Sequence, residues 1–484
     1  MDRAKRIVVL FLFAALSVTY SCTKIYAPEY ESNIEAESDY VWDSSTEVVI
    51  TLTGASASVQ GEGASVSGSE VLISAAGNYR ISGTLDDGRL VIDSEGNETV
   101  RLILDGVSVS NSNSSAIFVR KAAKAIVMLE AGTENYLADG SNYLFDDISA
   151  EEPSGTLYSK SYLGISGTGS LDVTGRFSDG IVGKDGLVIK GGIITVNAVD
   201  DGIRGKDYLM IHDGYIEVIS GDDGLKSDSG IEIEGGSFIV NAGDDAIHAD
   251  STLLISGGNI NIIRSYEGLE SMSITINGGN IHVISGDDGI NAADGSGGGG
   301  GMPGMPPQGG FTSGNSTLKV TGGYIWVNAS GDGIDINGSV EITGGTLIVD
   351  GPTANNNGAL DYDGTCKVTG GTLLAIGSSG MAQAPGTNST QCAVLIYFTT
   401  QQVAGTIVTI TDSNGSVLIS ARNSKKYQSV VFCSAGLKVG STYEVYLGGS
   451  NNGEPVDGIY AGGIYTPGTR YRSFTVSGIL TQVR

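Results

Sequence analysis

Residues 178–250 read SDGIVGKDGLVIKGGIITVNAVDDGIRGKDYLMIHDGYIEVISGDDGLKSDSGIEIEGGSFIVNAGDDAIHAD. One phrase returns through this stretch, as Asp179-Gly180-Ile181, Asp200-Asp201-Gly202-Ile203, Asp222-Asp223-Gly224-Leu225 and Asp244-Asp245-Ala246-Ile247. It continues as Tyr266-Glu267-Gly268-Leu269, Asp287-Asp288-Gly289-Ile290 and Gly331-Asp332-Gly333-Ile334. Its third position falls at 180, 202, 224, 246, 268 and 289, so the phrase steps by 22 residues four times and then by 21. A second phrase, usually Gly-Gly, keeps the same beat at Gly192, Gly214, Gly236, Gly258 and Gly279. A fixed period of this length marks a solenoid, in which each coil buries its apolar side against its neighbours.

Aligning the coils on the glycine turns exposes their strands. One strand carries Ile194, Ile216, Phe238, Ile260, Ile281, Ile325 and Leu347, with Val196, Val218, Val240, Ile262, Val283, Val327 and Val349 two positions on. Side chains two apart share a face of a strand, so both columns point inward. A second strand repeats Leu187/Ile189, Leu209/Ile211 and Ile231/Ile233. A third, shorter one follows each Asp phrase, with Ile181, Ile203, Leu225, Ile247, Leu269, Ile290, Ile334 and Leu360 inward. Three short strands per ~22 residues predict an all-β, right-handed, three-sided parallel β-helix.

The flanks differ. Residues 1–22 place Arg3, Lys5 and Arg6 before a short apolar run that closes on Ser21-Cys22, which resembles a bacterial lipoprotein signal with Cys22 as the lipidated residue. The chain is therefore expected to be exported and held at the outer membrane by a lipid anchor, as a cell-surface or periplasmic lipoprotein. Residues 23–46 are acidic and read as a spacer. The β-helix is expected over 47–390, its early coils irregular and its beat interrupted at 130–152 by a loop or lid. A Gly/Pro/Met insertion fills 294–314, and since Gly289 and Gly333 stand 44 apart, removing it restores one coil. Residues 391–484 read as an antiparallel β cap that covers the last coil, whose open edge would otherwise invite aggregation.

The chain has 27 basic and 54 acidic residues, a net charge of −27, which argues against nucleic acid as a partner. Four cysteines do not make a disulfide scaffold. Cys366 stands in an apolar column and is expected to be buried; Cys392 and Cys433 both fall in the cap, where a disulfide is permitted but not fixed by sequence. The three histidines, His212, His248 and His282, occupy different columns, which removes zinc-hydrolase and serine-esterase chemistry.

Equivalent residues of adjacent coils stack about 4.7–4.9 Å apart. Asp200/Asp201, Asp222/Asp223 and Asp244/Asp245 would stand in register, with Asp287/Asp288 and Asp332 further along. Unit charges at that spacing repel by roughly 1 kcal/mol in water and several times more at an effective dielectric near 20. The ladder therefore wants a counter-ion, and calcium, which takes oxygen ligands at about 2.3–2.6 Å, suits it. The alternative is that each Asp-Gly only makes the corner, its carboxylate capping backbone N–H groups.

The residue after each inward Ile or Leu forms an outward column: Val182, Arg204, Lys226, His248, Glu270, Asn291, Asp335 and Asp361. Arg204, Lys226 and His248, with Glu270 beyond them, are candidates to hold an acidic polymer; the alternative is a solvated face. The outward aromatics Tyr215, Tyr324 and Trp326 could stack on sugar rings but form no long strip.

Residues 155–207, GTLYSKSYLGISGTGSLDVTGRFSDGIVGKDGLVIKGGIITVNAVDDGIRGKD, resemble carbohydrate-binding β-helix proteins related in fold to pectate lyases. Residues 377–385, GSSGMAQAP, and Tyr427-Gln428-Ser429 are similar to that family too. The resemblance implies binding of plant cell-wall polysaccharide, cellulose-like or polygalacturonate-like, with calcium in the β-helix. Three functions stand side by side: a monomeric surface polysaccharide binder; a calcium-dependent polysaccharide lyase, with Lys226, Arg204 or Lys206 near the ladder as base; and a structural adhesin. Fold alone does not separate them.

Overall fold

The computed structural model describes residues 35–145, 152–293 and 314–484. Cys22 and the apolar leader lie outside the described residues, as do Asp146, Asp147 and nearly all of the insertion at 294–314. The chain is all-β: a parallel solenoid of about 12 turns and about 23 residues per turn, followed by an antiparallel sheet. Among the described residues no helix is long and apolar enough to cross a membrane.

Each regular coil has three faces. Face I holds the short strands after the Asp phrase, such as Ile203–Gly205 and Leu225–Ser227; face II holds Tyr208–Ile211 and Gly230–Ile233; face III holds Tyr215–Ser220 and Ser237–Asn241. Ile181 pairs in register with Ile203, Ile203 with Leu225, Leu225 with Ile247, Ile247 with Leu269, and Leu269 with Ile290. Ile290 pairs directly with Ile334, so the stack stays in register on either side of the insertion. The inward columns are those expected: Ile194, Ile216, Phe238, Ile260, Ile281, Ile325 and Leu347 are all 0% exposed.

Two kinds of glycine keep the coils close. The second residue of each Gly-Gly turn is left-handed, as at Gly236 with φ 96°, where a side chain would be strained. The glycine of the Asp phrase serves close approach instead: a Cβ on Gly202 would fall 2.6 Å from the carbonyl oxygen of Gly224 and overlap Val218 of the next coil.

Residues 130–152 are not simply a loop. Glu134–Ala138 is a face III strand, paired on one side with Ser108–Ser110 and on the other with Ser170–Gly175. Its alternation is disguised because the inward residue Asn135, 0% exposed, is polar; it accepts from Val107 N at 2.9 Å and donates to Ser170 O at 2.9 Å. The end of the acidic stretch 23–46 is docked on face II. Glu35 meets Lys190 at 2.9 Å and His212 at 3.2 Å, Asp39 meets Lys124 at 2.6 Å, and the hydroxyls of Tyr40 and Tyr162 lie 2.9 Å apart.

At the far end, Thr372–Gly377 of the last coil pairs antiparallel with Tyr427–Ser434, which pairs in turn with Ala393–Gln402. Ile407–Asp412, Val417–Arg422, Thr442–Asn451 and Tyr465–Thr475 make the separate antiparallel sheet. Cys366, Cys392 and Cys433 are buried free thiols.

Candidate functional site: a two-ended acidic ladder on face I

The Asp pairs sit at the corner where face III turns into face I, and their two members behave differently. The second members, Asp179, Asp201, Asp223 and Asp245, are 3%, 1%, 2% and 5% exposed. The first three offer Oδ1 to the backbone N–H of their counterpart one coil on: Asp201 N to Asp179 at 3.3 Å, Asp223 N to Asp201 at 3.3 Å and Asp245 N to Asp223 at 3.0 Å. Farther along, Asp332 N donates to Asp288 at 2.5 Å, and Gly358 N donates to Asp332. The inner aspartates are thus corner caps as well as a column of charge. The first members, Asp200, Asp222, Asp244 and Asp287, turn outward and are half-buried or exposed.

The outward column expected from sequence is in register throughout, from Val182–Arg204 to Asp335–Asp361. It divides the ladder in two. In the first half its cations turn back onto the inner aspartates. Lys226 Nζ lies 2.7 Å from Asp223, 3.4 Å from Asp201 and 3.6 Å from Asp222. Arg204 reaches Asp228 at 2.8 Å and Asp201 at 3.4 Å. His248 Nδ1 lies 2.9 Å from Asp245 and 2.8 Å from Glu270, with Nε2 3.1 Å from Asp250. These carboxylates hold His248 protonated, pushed up to about 11 against the opposing cost of burial. The Lys226 ammonium is held charged well above its usual range by Asp223, Asp201 and Asp222. A lysine held so firmly protonated is a poor base for β-elimination.

The second half lacks such partners among the described residues. Asp288, Asp332 and Asp335 bring carboxylate oxygens within 4.8 Å of one another. Burial, then the charges of Asp332, Asp335 and Asp287, pushes Asp288 up to about 7. Burial followed by Asp332, Asp361, Asp363 and Asp287 does the same to Asp335, at about 7. Glu267, in the inner column, is raised to about 8 by burial and then by Asp245, Glu270 and Asp288.

Two further observations fit an oxygen-seeking cation here. Asn291, 9% exposed and in register between Glu270 and Asp335, donates through Nδ2 to Glu267 at 2.7 Å, while its buried Oδ1 has no partner among the described residues. Gly331 stands where the phrase usually has Asp, and a Cβ there would overlap the carboxylate oxygens of both Asp287 and Asp288. The donor set is all oxygen, as calcium prefers.

At the opposite end of face I, Glu152, Tyr158, Asp179, Lys184, Arg204 and Lys206 line an open cleft. Lys160 meets Glu152 at 2.6 Å and Lys184 also pairs with it, while Lys206 is 46% exposed and only 4.0 Å from Asp228, its nearest acid.

The Asp pairs stack coil on coil as the repeat implies, but the sequence showed neither the separation of inner from outer members nor the division of the ladder. It also did not assign Glu267, Asn291, Asp335 or Asp361 to the cluster; the available signal was that the outward column turns anionic in the coils where the inner column stays acidic. His212, on face II, and His282, on face III, are remote from the ladder, and Tyr215, Tyr324 and Trp326 lie on face III.

The fold is a parallel β-solenoid that carries a divided acidic ladder along face I. Residues 67–303 match the family model described as "Carbohydrate-binding domain-containing protein". A protein of Acetivibrio thermocellus with the same description is 38% identical over 137 residues, 28% of this chain and 48% of that relative. The chain thus matches about half the length of that curated relative. The solved polysaccharide lyase-like protein from C. thermocellum, a gadolinium derivative, is 30% identical with a TM-score of 0.42, covering 48% of this chain and 92% of that one. The family segment ends before Asp332, Asp335 and the cap.

Proposed function

We propose that the protein is a cell-surface binder of acidic, plant cell-wall type polysaccharide that uses face I, with calcium held in the second half of the ladder. Asp288, Asp332 and Asp335 would hold the ion, with Asn291 Oδ1 as a neutral ligand. Bound there, calcium supplies the positive charge that the outward column provides elsewhere through Arg204, Lys226 and His248. The observation that carries this reading is the division itself: Arg204, Lys226 and His248 stand against the aspartates of one half, where Asp200, Asp201 and Asp222 also cluster, and among the described residues no such cation stands in the other half. The cleft with Lys184, Arg204 and Lys206 offers cations to polymer carboxylates.

Binding is favoured over a lyase because Lys226 is held protonated by its carboxylates and Arg204 is engaged by Asp228 and Asp201. In this proposal Cys22 carries the lipid that anchors the chain, which palmitate labelling, and its loss in Cys22→Ser, would test. The function is tested by calorimetry with oligogalacturonate in calcium and in chelator. Saturable binding that weakens at least ten-fold in chelator is expected; no heat with the uronide in calcium overturns the reading.

A further inference from the structure

Face III carries a second constellation, where the cap folds over it. His282 and Trp326 are register partners in one outward column, and Tyr324 follows Asn280 in the neighbouring column. The cap turn at Val456 and Ile459 brings Asp457 across to them. Asp457 Oδ2 accepts from the Tyr324 hydroxyl at 2.7 Å and lies 2.9 Å from His282 Nε2. Both contacts fall on the same oxygen. Oδ1 of Asp457, the Trp326 indole N–H and the exposed Arg422 guanidinium have no hydrogen bond or ion pair among the described residues.

These groups surround an open cleft with an apolar floor of Ile348, Leu374 and Ile376. Its far wall is fixed by the buried Asp350, which accepts from Asn423 Nδ2 at 2.9 Å and from Ser424 and lies 3.8 Å from Lys425 Nζ. The cleft is therefore preformed, and a ligand would lose little affinity to ordering it. A flat aromatic wall, an apolar floor and a few fixed polar groups are the makings of a small-ligand site.

From this geometry we propose that the cleft is a subsite for an uncharged pyranose ring, separate from the acidic site on face I and resting on the reading that the protein binds carbohydrate. A pyranose with equatorial hydroxyls presents a face of C–H groups to the electron-rich indole face and a rim of hydroxyls to polar partners. Asp457 Oδ1 takes a hydroxyl hydrogen; Trp326 Nε1 and Arg422 donate to hydroxyl oxygens. Asp457 and Arg422 offset one another, and Asp350 is offset by Lys425. The cleft is thus close to neutral overall, unlike face I, and has no surplus cation for a uronate.

The probe is cellohexaose, whose β-linked rings have all-equatorial substituents. Trp326 and Trp42 are the chain's two tryptophans, so a Trp42→Phe background leaves emission from Trp326 alone. Cellohexaose is expected to change that emission saturably, and Trp326→Ala to weaken its calorimetric binding at least ten-fold. Asp457→Ala is expected to weaken it several-fold, with folding of each variant checked by circular dichroism. Cellohexaose that binds with unchanged affinity to Trp326→Ala, or an Asp457→Ala variant that loses only thermal stability, overturns the subsite and leaves a cap tether. Oligogalacturonate in calcium separates the two sites. If it binds while cellohexaose does not, the subsite falls and the face I reading stands. Trp326-dependent cellohexaose binding without uronide binding supports the subsite and overturns the acidic reading, and binding of neither overturns both.

Discussion

Replacing Lys226 by Met keeps most of the aliphatic stem and removes the ammonium that stands among Asp201, Asp222 and Asp223. The two nearest inner carboxylates, on Asp223 and Asp201, have side chains only 3% and 2% exposed, and they lie 2.7 Å and 3.4 Å from Nζ. Removing one partner of a buried ion pair costs about 3–5 kcal/mol, because a carboxylate is left buried without its counter-charge. Burial and then Asp179 already push Asp201 up to about 7, so without the ammonium it escapes part of that cost by keeping a proton. A carboxyl whose folded pKa lies above its unfolded value costs stability increasingly as pH rises through the folded value. The loss should therefore be smallest near about pH 5 and reach about 3 kcal/mol by about pH 8. A solenoid need not unfold in one step, so the informative assay is local hydrogen exchange in chelator. Protection of the strands Leu225–Ser227 and Ile247–Ile255 should fall by about a hundred-fold at the higher pH. Protection unchanged within about three-fold there would refute the claim that this ammonium is the ladder's counter-charge.

Other consequences follow from particular contacts. His212 is raised to about 9 by its bonds to Glu35 and Glu234, and Glu35 is lowered to about 2, chiefly by His212. The histidine's contribution is complete below its ordinary value of 6.5 and is lost as pH rises through about 9; that of Glu35 is complete above 4.5 and is lost as pH falls through about 2. Docking of residues 35–46 on face II should thus be firmest between these limits, with proteolysis of that segment rising on the alkaline side in wild type but not in His212→Gln. Gly202→Ala should destabilise by about 1–3 kcal/mol, read by urea unfolding, because the added methyl meets the Gly224 carbonyl and Val218. Asp350→Ala should release the cap turn, giving faster hydrogen exchange in residues 423–425 while the regular coils keep their protection.

The inward columns were legible because side-chain direction in a strand has period two and coils stack in register, so a residue and its equivalents at the next turns must share one environment. Ile194 through Leu347 need nothing else to be assigned. The Asp column was equally legible as a column, and the alternative of corner capping is realised together with the charge ladder. What the pattern did not carry was how neighbouring columns meet. Lys226 faces Asp223 around a corner and Asp201 from the preceding coil, and only the folded geometry shows that one ammonium serves three carboxylates. Asn135 hid a strand because a buried amide satisfied by backbone partners breaks the apolar alternation. Contacts made across the whole chain, Glu35 with His212 and His282 with Asp457, leave no periodic trace.

The division of face I into a half with its own cations and a half proposed to seek one is tested most directly by calcium titration calorimetry on three proteins. Wild type and Asp223→Asn, altered in the half served by Lys226, should bind calcium alike, whereas Asp335→Asn should lose at least ten-fold in affinity. Loss of binding in Asp223→Asn with full binding in Asp335→Asn would contradict the account and return calcium to the aspartates beside Lys226.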